Sequence, residues 1–328
     1  MDQQICISAT AFRLPEHYVT VGELRDAHEP ALRRSQDDAL RIPKLKQLAL
    51  EEIDGVHVFN GEEEGALALA SIRETLNERR IEGKDVGLLI DYSAVSRAKN
   101  GISLCYKLQR DLEANNAVTL AIGNGSCASL QLAIQTAVAF LKSNEEIKFA
   151  LLFAEDRIRG RRFQPPFNIL GDGASAVLIE RGAERWVIAG AAYQSLGKFC
   201  DVLGINHWED GNFNWGEFEN KIVPIHYKIT RDLVFKVLEK QGLEIGQVDL
   251  ILYQNMSYND YRGLAAALDV AMDRTYLDGL KGHGHIFGSD LVINLSMASR
   301  AGRLRPGGWI LLISSGAGFS WGVTLVKT

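Results

Sequence analysis

The chain has 328 residues, of which 46% are hydrophobic and 23% are charged, with a formal net charge of −5 at pH 7. A chain of this length can bury a large core as one domain or as two fused halves, and its charge gives no reason to expect a nucleic-acid partner. Because no apolar run reaches the roughly 20 residues of a membrane span, no signal peptide is visible and the four cysteines show no paired spacing, we expect a cytoplasmic protein without membrane, disulfide or metal.

Apolar runs and helical periodicity predict the elements in chain order. Residues 5–10 form a buried strand, residues 29–60 irregular cover with short helices, and residues 62–80 a helix whose acidic start and Arg79-Arg80 end suit the helix dipole. The remaining elements of the first half are strands at residues 86–90, 118–122 and 148–153 and helices at residues 102–112 and 128–141. The apolar run at residues 118–122 predicts a buried strand. The last helix is apolar on nearly every face, which is typical of a helix inside a core.

The second half of the chain repeats the first. The matching pairs are residues 83–93 with 246–257, residues 148–153 with 308–313, and residues 171–178 with 316–325. Val86 corresponds to Val248, 162 residues on, and Phe149 to Trp309, 160 residues on. Similar offsets in the same order predict a duplicated α/β unit with helices packed on sheets. The join lies near residues 182–185, which gives halves 1–183 and 184–328.

The stretch from residue 123 reads Gly-Asn-Gly-Ser-Cys-Ala and joins a predicted strand to a predicted buried helix. Its small residues predict a tight turn that puts the thiol of Cys127 at the first turn of the helix. Unpaired backbone N–H groups and the helix dipole stabilise an anion there, which favours a nucleophilic thiolate. The alternative is a cysteine that is simply a small buried side chain, but the combination of strand, glycine turn and helix favours the nucleophile.

Four stretches in this order resemble the type III β-ketoacyl synthase branch of the thiolase superfamily. They are residues 8–17 (opening strand and turn), 123–131 (nucleophile elbow), 171–177 (glycine turn) and 315–322 (C-terminal glycine turn). The resemblance implies a thiolase-like αβαβα five-layer fold made of two duplicated halves, an obligate homodimer, and acyl transfer through an acyl-cysteine. It implies no bound cofactor, because the substrate itself is an acyl-phosphopantetheine thioester on an acyl carrier protein or coenzyme A.

By the same resemblance, the backbone N–H groups of Cys127 and Gly316 donate to the oxygen on which negative charge develops. In well-studied hydrolases such a donor is worth roughly 3–4 kcal/mol. A glycine at position 316 is also what the turn alone would require, and the two interpretations are compatible.

The chain departs from the family at two corners of the site. Decarboxylating members carry a His and an Asn that hold the thioester oxygen of a malonyl group, whereas here Gln254 stands at the position of that His and His285 at the position of that Asn. Gln254 can donate a hydrogen bond but cannot exchange a proton near pH 7, and His285 can. One imidazole beside one cysteine is the minimal pair for acyl transfer. Branch members that act as acyltransferases also depart from the Cys-His-Asn set.

Residues near His285 leave alternatives open. The run Gly-His-Gly-His at residues 282–285 makes His283 a rival for the working imidazole, and His285 could instead bond only to backbone within a glycine loop. Asp290 could orient the imidazole or simply cap the following helix.

The predicted donor-binding end rests on weaker signals. The basic run at residues 157–162 offers Arg159, Arg161 and Arg162 as contacts for a phosphopantetheine phosphate or an acidic carrier protein, with a solvated loop as the alternative. Relatives that use coenzyme A carry a Trp early in the chain, and residues 31–53 contain none, so adenine stacking is in doubt.

The sequence therefore favours a transferase of fatty-acyl or specialised metabolism that passes an acyl group from Cys127 to the heteroatom or carbon of a small-molecule acceptor. A decarboxylating ketosynthase that makes a C–C bond is the alternative within the same class. A non-catalytic partner subunit of a ketosynthase is the alternative from another class, and the intact elbow at Cys127 argues against it.

Overall fold

The computed structural model describes residues 3–32, 52–95, 103–123, 125–158, 162–164, 168–203 and 218–328. Within them the helices are α1 (Val21–Leu32), α2 (Ala66–Arg79), α3 (Leu104–Asp111), α4 (Ser129–Ser143), α5 (Cys200–Leu203), α6 (Val223–Glu239), α7 (Tyr258–Leu268), α8 (Asp278–His283) and α9 (Ser289–Arg300). The strands are β1 (Ile5–Arg13), β2 (Tyr18–Thr20), β3 (Gly55–His57), β4 (Val86–Asp91), β5 (Val118–Ala121), β6 (Phe149–Asp156), β7 (Phe163–Gln164), β8 (Asn168–Ile169), β9 (Gly173–Arg181), β10 (Val187–Ser195), β11 (Leu250–Tyr253), β12 (Trp309–Gly316) and β13 (Ser320–Lys327).

Nine strands form one mixed sheet in the order β11-β12-β13-β10-β1-β9-β6-β4-β5. β1 and β10 meet through one residue pair, Cys6 and Val187, and this contact separates two halves of the sheet. The halves share strand directions, because β4–β6 and β11–β12 are parallel whereas β6–β9 and β12–β13 are antiparallel. An isolated parallel bridge between Ile251 and Thr275 lies beside β11, at the position that β5 occupies beside β4 in the first half. The same order in both halves matches the duplication seen in the sequence.

The helices complete five layers around these two half-sheets. On the outer face of the first half, α2 packs against β1 and β9, and α3 packs against β4 and β5. α4 and α9 lie in the centre, because α4 contacts β6, β9, β10 and β13 whereas α9 contacts β1, β9, β11 and β12. On the outer face of the second half, α6 contacts β10 and β13 and α7 packs on α6. The order is αβαβα, as the resemblance implies.

Central strands are apolar on both faces because each lies between two helix layers. In β4, Leu88 and Ile90 belong to the core around α4 and α9, whereas Leu89 belongs to the core under α2 and α3. β12 alternates in the same way between the central core and the core under α6. Full burial of each such side chain contributes roughly 1.5–3 kcal/mol.

Two short 3₁₀ turns, one in each half of the chain, have the same pattern of capping hydrogen bonds. Gly83–Asp85 leads into β4 and Ile245–Gln247 leads towards β11, and each is preceded by a glutamate that forms a capping box with the third residue of the turn. Val86 and Val248, the residues matched in the sequence, end these turns. The boundary proposed between residues 183 and 184 falls in the connection from β9 to β10.

Several element boundaries differ from the sequence-based prediction. α2 begins at Ala66 rather than near residue 62, and its first turn contains no acidic residue. The carboxylate of Glu155, at the end of β6, instead accepts the backbone N–H groups of Gly65 and Ala68. Residues 55–57, expected to be irregular, form β3 and pair with β2. Residues 33–51, which carry most of the predicted irregular cover, lie outside the described residues.

The strand predicted at residues 118–122 is also different from expectation. It is β5, which lies at the edge of the sheet rather than in its interior. Val118 is 47% exposed, and the nearby Tyr106 on α3 is 59% exposed. An apolar run alone does not tell an edge strand from a central one, and that is why the prediction of a buried strand was wrong.

Candidate active site

A strained turn between β5 and α4 presents Cys127. Residues 126–128 form a single 3₁₀ turn directly before α4, and Ser126 has φ 50°, in the left-handed region that ordinary residues rarely adopt. The N–H of Ala128 donates to the carbonyl of Gly125 at 3.0 Å and closes the turn. Cys127 is 8% exposed. The thiol therefore lies at the N-terminus of a central helix, where unpaired N–H groups favour an anion.

His285 is held by a strand-like contact with the opposite half of the molecule. Its backbone N–H donates to the carbonyl of Ile169 at 2.8 Å, and its carbonyl accepts from the N–H of Gly171 at 3.0 Å. The preceding Gly284 has φ 59°, and a Cβ there would lie 2.5 Å from the carbonyl oxygen of Ile169, so only glycine allows this approach. The ring is fully buried, and its Nε2 lies 3.0 Å from the Sγ of Cys127.

Asp290, in the first turn of α9, completes a chain of three side chains. Its Oδ2 lies 2.5 Å from the Nδ1 of His285 and accepts the backbone N–H of Asn255 at 2.7 Å. Its Oδ1 accepts the backbone N–H of Ile286 at 2.6 Å. The carboxylate thus faces back towards the imidazole instead of capping α9. Cys127, His285 and Asp290 have the geometry of a nucleophile, a base and an orienting carboxylate.

The electrostatics of the site favour a protonated imidazole. Burial alone would lower the pKa of His285, but Cys127 on one side and Asp290 on the other overcome this effect and raise the pKa well above its usual range. A protonated imidazole donates from Nε2 towards the Sγ of Cys127 and from Nδ1 to the carboxylate of Asp290.

Gly316, at the end of β12, lies directly against the turn that carries Cys127. A Cβ at Gly316 would lie 1.9 Å from the carbonyl oxygen of Gly125 and 3.1 Å from the nitrogen of Ala128. No other residue type can bring the backbone this close. This is the neighbourhood in which an oxyanion donor is expected from the sequence.

Gln254 follows β11 and is 3% exposed. Its Oε1 accepts the backbone N–H of Ser315 at 2.9 Å, and its Nε2 donates to the Oγ of Ser315 at 3.0 Å. The carboxamide is therefore bonded to protein at both ends. Ser315 carries no signal in the sequence, because a serine in a glycine-rich strand end is common in many folds.

Apolar side chains surround the thiol. Leu170 and Phe287 are buried against Cys127, and Ala94, Val95 and Ile158 are partly buried in the same cluster. The Phe287 ring lies 5.3 Å from that of His285. A dry, apolar wall strengthens the electrostatic interactions of the site and suits the carbon chain of an acyl group.

His283, the rival imidazole, lies elsewhere. Its ring is 5.9 Å from that of His57 and 6.4 Å from that of Phe12, and burial lowers its pKa. The described contacts of Cys127 include His285 and not His283. Of the two histidines, His285 is therefore the one whose imidazole contacts the thiol.

The arginines proposed as carrier contacts divide into two groups. Arg159 and Arg161 lie outside the described residues. Arg162 is buried and forms an ion pair with Asp172 at 2.7 Å, and it also donates to the carbonyl of Ile158 at 2.8 Å. Arg162 is thus not part of a solvated loop, and using it to bind a carrier protein would break a buried ion pair, which is costly.

The sequence analysis missed a further polar residue near the site. Asp156, the last residue of β6, is fully buried, and its Oδ1 accepts the backbone N–H of Val95 at 2.8 Å. Burial raises the pKa of Asp156 to about 7. An acid at the carboxyl end of an apolar strand is the signal that could have found it. Among the residues that the structure describes, no group of three or more His, Cys, Asp or Glu side chains is arranged to hold a metal ion.

Comparison with known proteins agrees with this architecture. Residues 238–328 match the family model of the 3-oxoacyl-[acyl-carrier-protein] synthase III C terminal. The β-ketoacyl-[acyl-carrier-protein] synthase III of Ehrlichia chaffeensis is 25% identical over 321 residues, which cover 96% of each chain.

Solved structures share the fold over nearly the whole chain. The 3-oxoacyl-[acyl-carrier-protein] synthase III of Aquifex aeolicus VF5 has a TM-score of 0.80 at 20% identity and covers 99% of this chain and 100% of its own. The acyltransferase ChlB3 has a TM-score of 0.81 at 23% identity, with 99% and 98% covered. The resemblance to the type III β-ketoacyl synthase branch and the thiolase-like fold are thereby confirmed. None of the described helices has both the length and the apolarity needed to cross a bilayer.

Proposed function

We propose that this protein is an acyltransferase that takes an acyl group from a carrier-protein or coenzyme A thioester onto Cys127 and passes it to a hydroxyl or amine of a small molecule, without decarboxylation. The observation that carries the proposal is the chain from the Sγ of Cys127 through His285 to Asp290, with distances of 3.0 and 2.5 Å. The naming of ChlB3 as an acyltransferase, and of other relatives as 3-oxoacyl synthases, supports chemistry on an acyl thioester.

Cys127, His285 and Asp290 perform both half-reactions with a single proton, which His285 gives up in the first and recovers in the second. In the first, the Cys127 thiolate attacks the thioester carbonyl, the C–S bond to the donor breaks, and the departing thiolate takes the proton from Nε2 of His285. In the second, neutral Nε2 accepts the proton of the acceptor hydroxyl or amine as its heteroatom attacks the acyl-Cys127 carbonyl. The thiolate–imidazolium pair is regenerated. Asp290 keeps the imidazole oriented and balances its charge in both steps.

The state of Gln254 supports transfer without decarboxylation. A decarboxylating site needs donors aimed at the thioester oxygen of a malonyl group from two corners. At this corner the carboxamide is bonded to the backbone and hydroxyl of Ser315 instead. At the other corner the imidazole of His285 is bonded to Cys127 and Asp290. The amide oxygen and one N–H of Gln254 are therefore engaged by Ser315, and both ring nitrogens of His285 by Cys127 and Asp290, which differs from a set that aims both groups at the substrate oxygen.

Acylation of Cys127 is the first test. Intact-mass measurement after incubation with acetyl, butyryl and hexanoyl thioesters of N-acetylcysteamine should show one acyl adduct on the wild type and none on Cys127→Ala. Cys6→Ala is the matched control, because Cys6 is also buried, its thiol bonds to the carbonyl of Ala183 at 2.8 Å, and burial raises its pKa to about 11. This control should acylate like the wild type. Equal amounts of adduct on Cys127→Ala and on the wild type would refute the assignment of Cys127 as the nucleophile.

The fate of a malonyl thioester separates the two enzyme readings. With carbon-labelled malonyl thioester we expect a malonyl adduct or no reaction, and no release of carbon dioxide above the Cys127→Ala background. Carbon dioxide released at the rate of product formation would instead establish a decarboxylating ketosynthase. His285→Ala should slow transfer to the acceptor by roughly 10²–10⁴ while acyl-Cys127 still forms slowly. Full activity of that variant would remove His285 from the mechanism.

A further inference from the structure

The apolar wall around the thiol of Cys127 is built from four separate connections of the chain. Its members are Ala94 and Val95 after β4, Ile158 after β6, Leu170 after β8, and Phe287 before α9. Leu170 and Phe287 are buried, and Cys127 itself is 8% exposed. An acyl group bound to Sγ must therefore extend into space that these side chains border. In a close-packed interior, such a wall adjusts poorly to extra methylene groups.

The phenyl ring of Phe287 is the largest group in this wall. Its centroid lies 5.3 Å from that of the imidazole of His285, and Nε2 of that imidazole lies 3.0 Å from the Sγ of Cys127. The ring therefore lies beside the reacting pair. Because a phenyl group has no proton to exchange and no hydrogen bond to donate, what it contributes there is apolar volume.

The backbone at Phe287 has a conformation that suits glycine better than a bulky residue. Phe287 has φ 47°, in the left-handed region where a Cβ is unfavourable. Two hydrogen bonds hold this turn: the N–H of Ser289 donates to the carbonyl of Ile286 at 3.0 Å, and the N–H of Asp290 donates to the carbonyl of Phe287 at 3.3 Å. The backbone cannot carry the ring away while these bonds hold. A bulky residue kept in a strained conformation beside reacting groups favours a role for its side chain.

We infer that Phe287 is a specificity-determining residue, whose ring bounds the acyl site at Cys127 and selects short acyl groups such as acetyl and butyryl over octanoyl. The inference rests on the proposed function in taking Cys127 as the residue that is acylated, and it adds the class of acyl group that the thiol accepts. A short chain fits between Sγ and the wall. A longer chain has to displace the ring, which is buried and attached to a fixed turn. Since the acyl group stays on Cys127 between the two half-reactions, the same limit applies to the group that is transferred.

The test is an internal competition between four donors. Acetyl, butyryl, hexanoyl and octanoyl thioesters of N-acetylcysteamine, at equal concentrations, react with one protein sample, and intact mass gives the proportions of the acyl adducts at low conversion, with the Cys127→Ala background subtracted. The proportions depend only on the relative acylation rates, so a smaller folded fraction cancels. Because a methylene that does not fit a pocket costs about tenfold or more, the wild type should form at least about ten times more butyryl than octanoyl adduct.

Two variants at position 287 should widen the site to different extents. Phe287→Ala removes the ring, and the octanoyl-to-butyryl ratio should rise by about 10- to 100-fold. Phe287→Leu removes less volume, so the ratio should rise by about three- to tenfold, and this variant decides the question if the alanine variant fails to fold. Phe153→Leu is the matched control, because Phe153 is fully buried on β6 in the core under α2 and α3. It should keep the wild-type proportions of adducts.

Three results would overturn the inference: a wild type that takes octanoyl as readily as butyryl, unchanged proportions in the Phe287 variants, or a shift in Phe153→Leu as large as that in Phe287→Leu. The last would mean that loosening any part of the core changes the selectivity. The absence of any adduct that depends on Cys127 would overturn both the inference and the proposed function. If acyl-Cys127 forms but passes its acyl group to no hydroxyl or amine, the proposed transfer alone is wrong, and the four adducts still decide the role of Phe287.

Discussion

Replacing Asp290 with Asn tests how far the Cys127–His285 pair depends on the carboxylate behind the imidazole. All three groups bonded to Asp290 are donors: Nδ1 of His285 at 2.5 Å, and the backbone N–H groups of Asn255 and Ile286 at 2.7 and 2.6 Å. An amide offers only one accepting atom. In either orientation of the amide, its NH₂ group faces a donor. The more favourable orientation keeps the oxygen at the Oδ2 position, where it accepts two bonds, and leaves the N–H of Ile286 without an acceptor. We expect the free energy of unfolding to fall by about 1–3 kcal/mol.

The effect of Asp290→Asn on chemistry should exceed its effect on stability. The pKa of His285 is raised in part by Asp290, so removing this charge lowers it and shifts the shared proton from the imidazole towards sulfur. In Ser-His-Asp triads the corresponding change costs about 10⁴ in rate, and we expect a loss of about 10²–10⁴ in acyl transfer here. Alkylation by iodoacetamide should fall most at pH values where the imidazole is protonated in the wild type but not in the variant, and less at higher pH, where it is neutral in both.

The assay measures both rates and the denaturant midpoint between pH 6 and pH 9. Asp249→Asn is the matched control, since Asp249 accepts the N–H of Trp309 at 2.8 Å, at the end of β12 away from Gly316. It should lose stability without a pH-dependent loss of alkylation. A uniform alkylation deficit at every pH for Asp290→Asn, or none, would refute a thiolate–imidazolium pair supported by this carboxylate.

Two other predictions concern association and buried charge. The edge strand β5, with Val118 47% exposed, should pair with a second copy across a two-fold axis, and sedimentation of a 36.2 kDa species at micromolar concentration would contradict a homodimer. Burial raises the pKa of Asp156 from 3.8 to about 7, so the native state becomes less stable as the pH rises through this interval, because the unfolded chain ionises first. At 1.36 kcal/mol per pKa unit, Asp156→Asn should therefore raise the free energy of unfolding little at pH 4 and by up to about 4 kcal/mol above pH 7. Denaturant titrations that show the same increase at both pH values would contradict this.

The parts of the fold that the sequence predicted are those with a local signal. Val86 and Val248 end equivalent turns, and Phe149 and Trp309 begin equivalent strands, because apolar runs and turn residues act over a few positions. The elbow at Cys127 is local in the same sense. Contacts between distant segments leave no such trace. Glu155 accepts the N–H of Gly65 from 90 residues away, so the true start of α2 was not predictable from its own sequence.

The same distinction holds at the site. His285 could be proposed from its place in a glycine run, but its bond to Cys127 spans 158 residues. Asp290 looked equally suited to capping a helix, and only the backbone of Asn255, 35 residues earlier, reveals why its carboxylate faces the other way. Gln254 was expected to meet substrate, and its engagement with Ser315 depends on where β11 leaves the sheet. Each ambiguity was resolved by tertiary contacts.

The duplicated fold explains why Cys127 and His285, the proposed nucleophile and base, come from opposite halves of the chain. Each central helix begins just after a non-glycine residue in the left-handed region, Ser126 before α4 and Phe287 before α9. The two helix N-termini converge on the site, and each favours an anion. Cys127 lies at one of them and Asp290 at the other. His285 lies between them and is bonded to both side chains. The pKa of an imidazole placed there is raised in spite of its burial, whereas an amide cannot take up a proton near pH 7. Under the proposed function, a His at this corner in place of the expected Asn therefore adds a proton-transferring group to a site that would otherwise only donate hydrogen bonds.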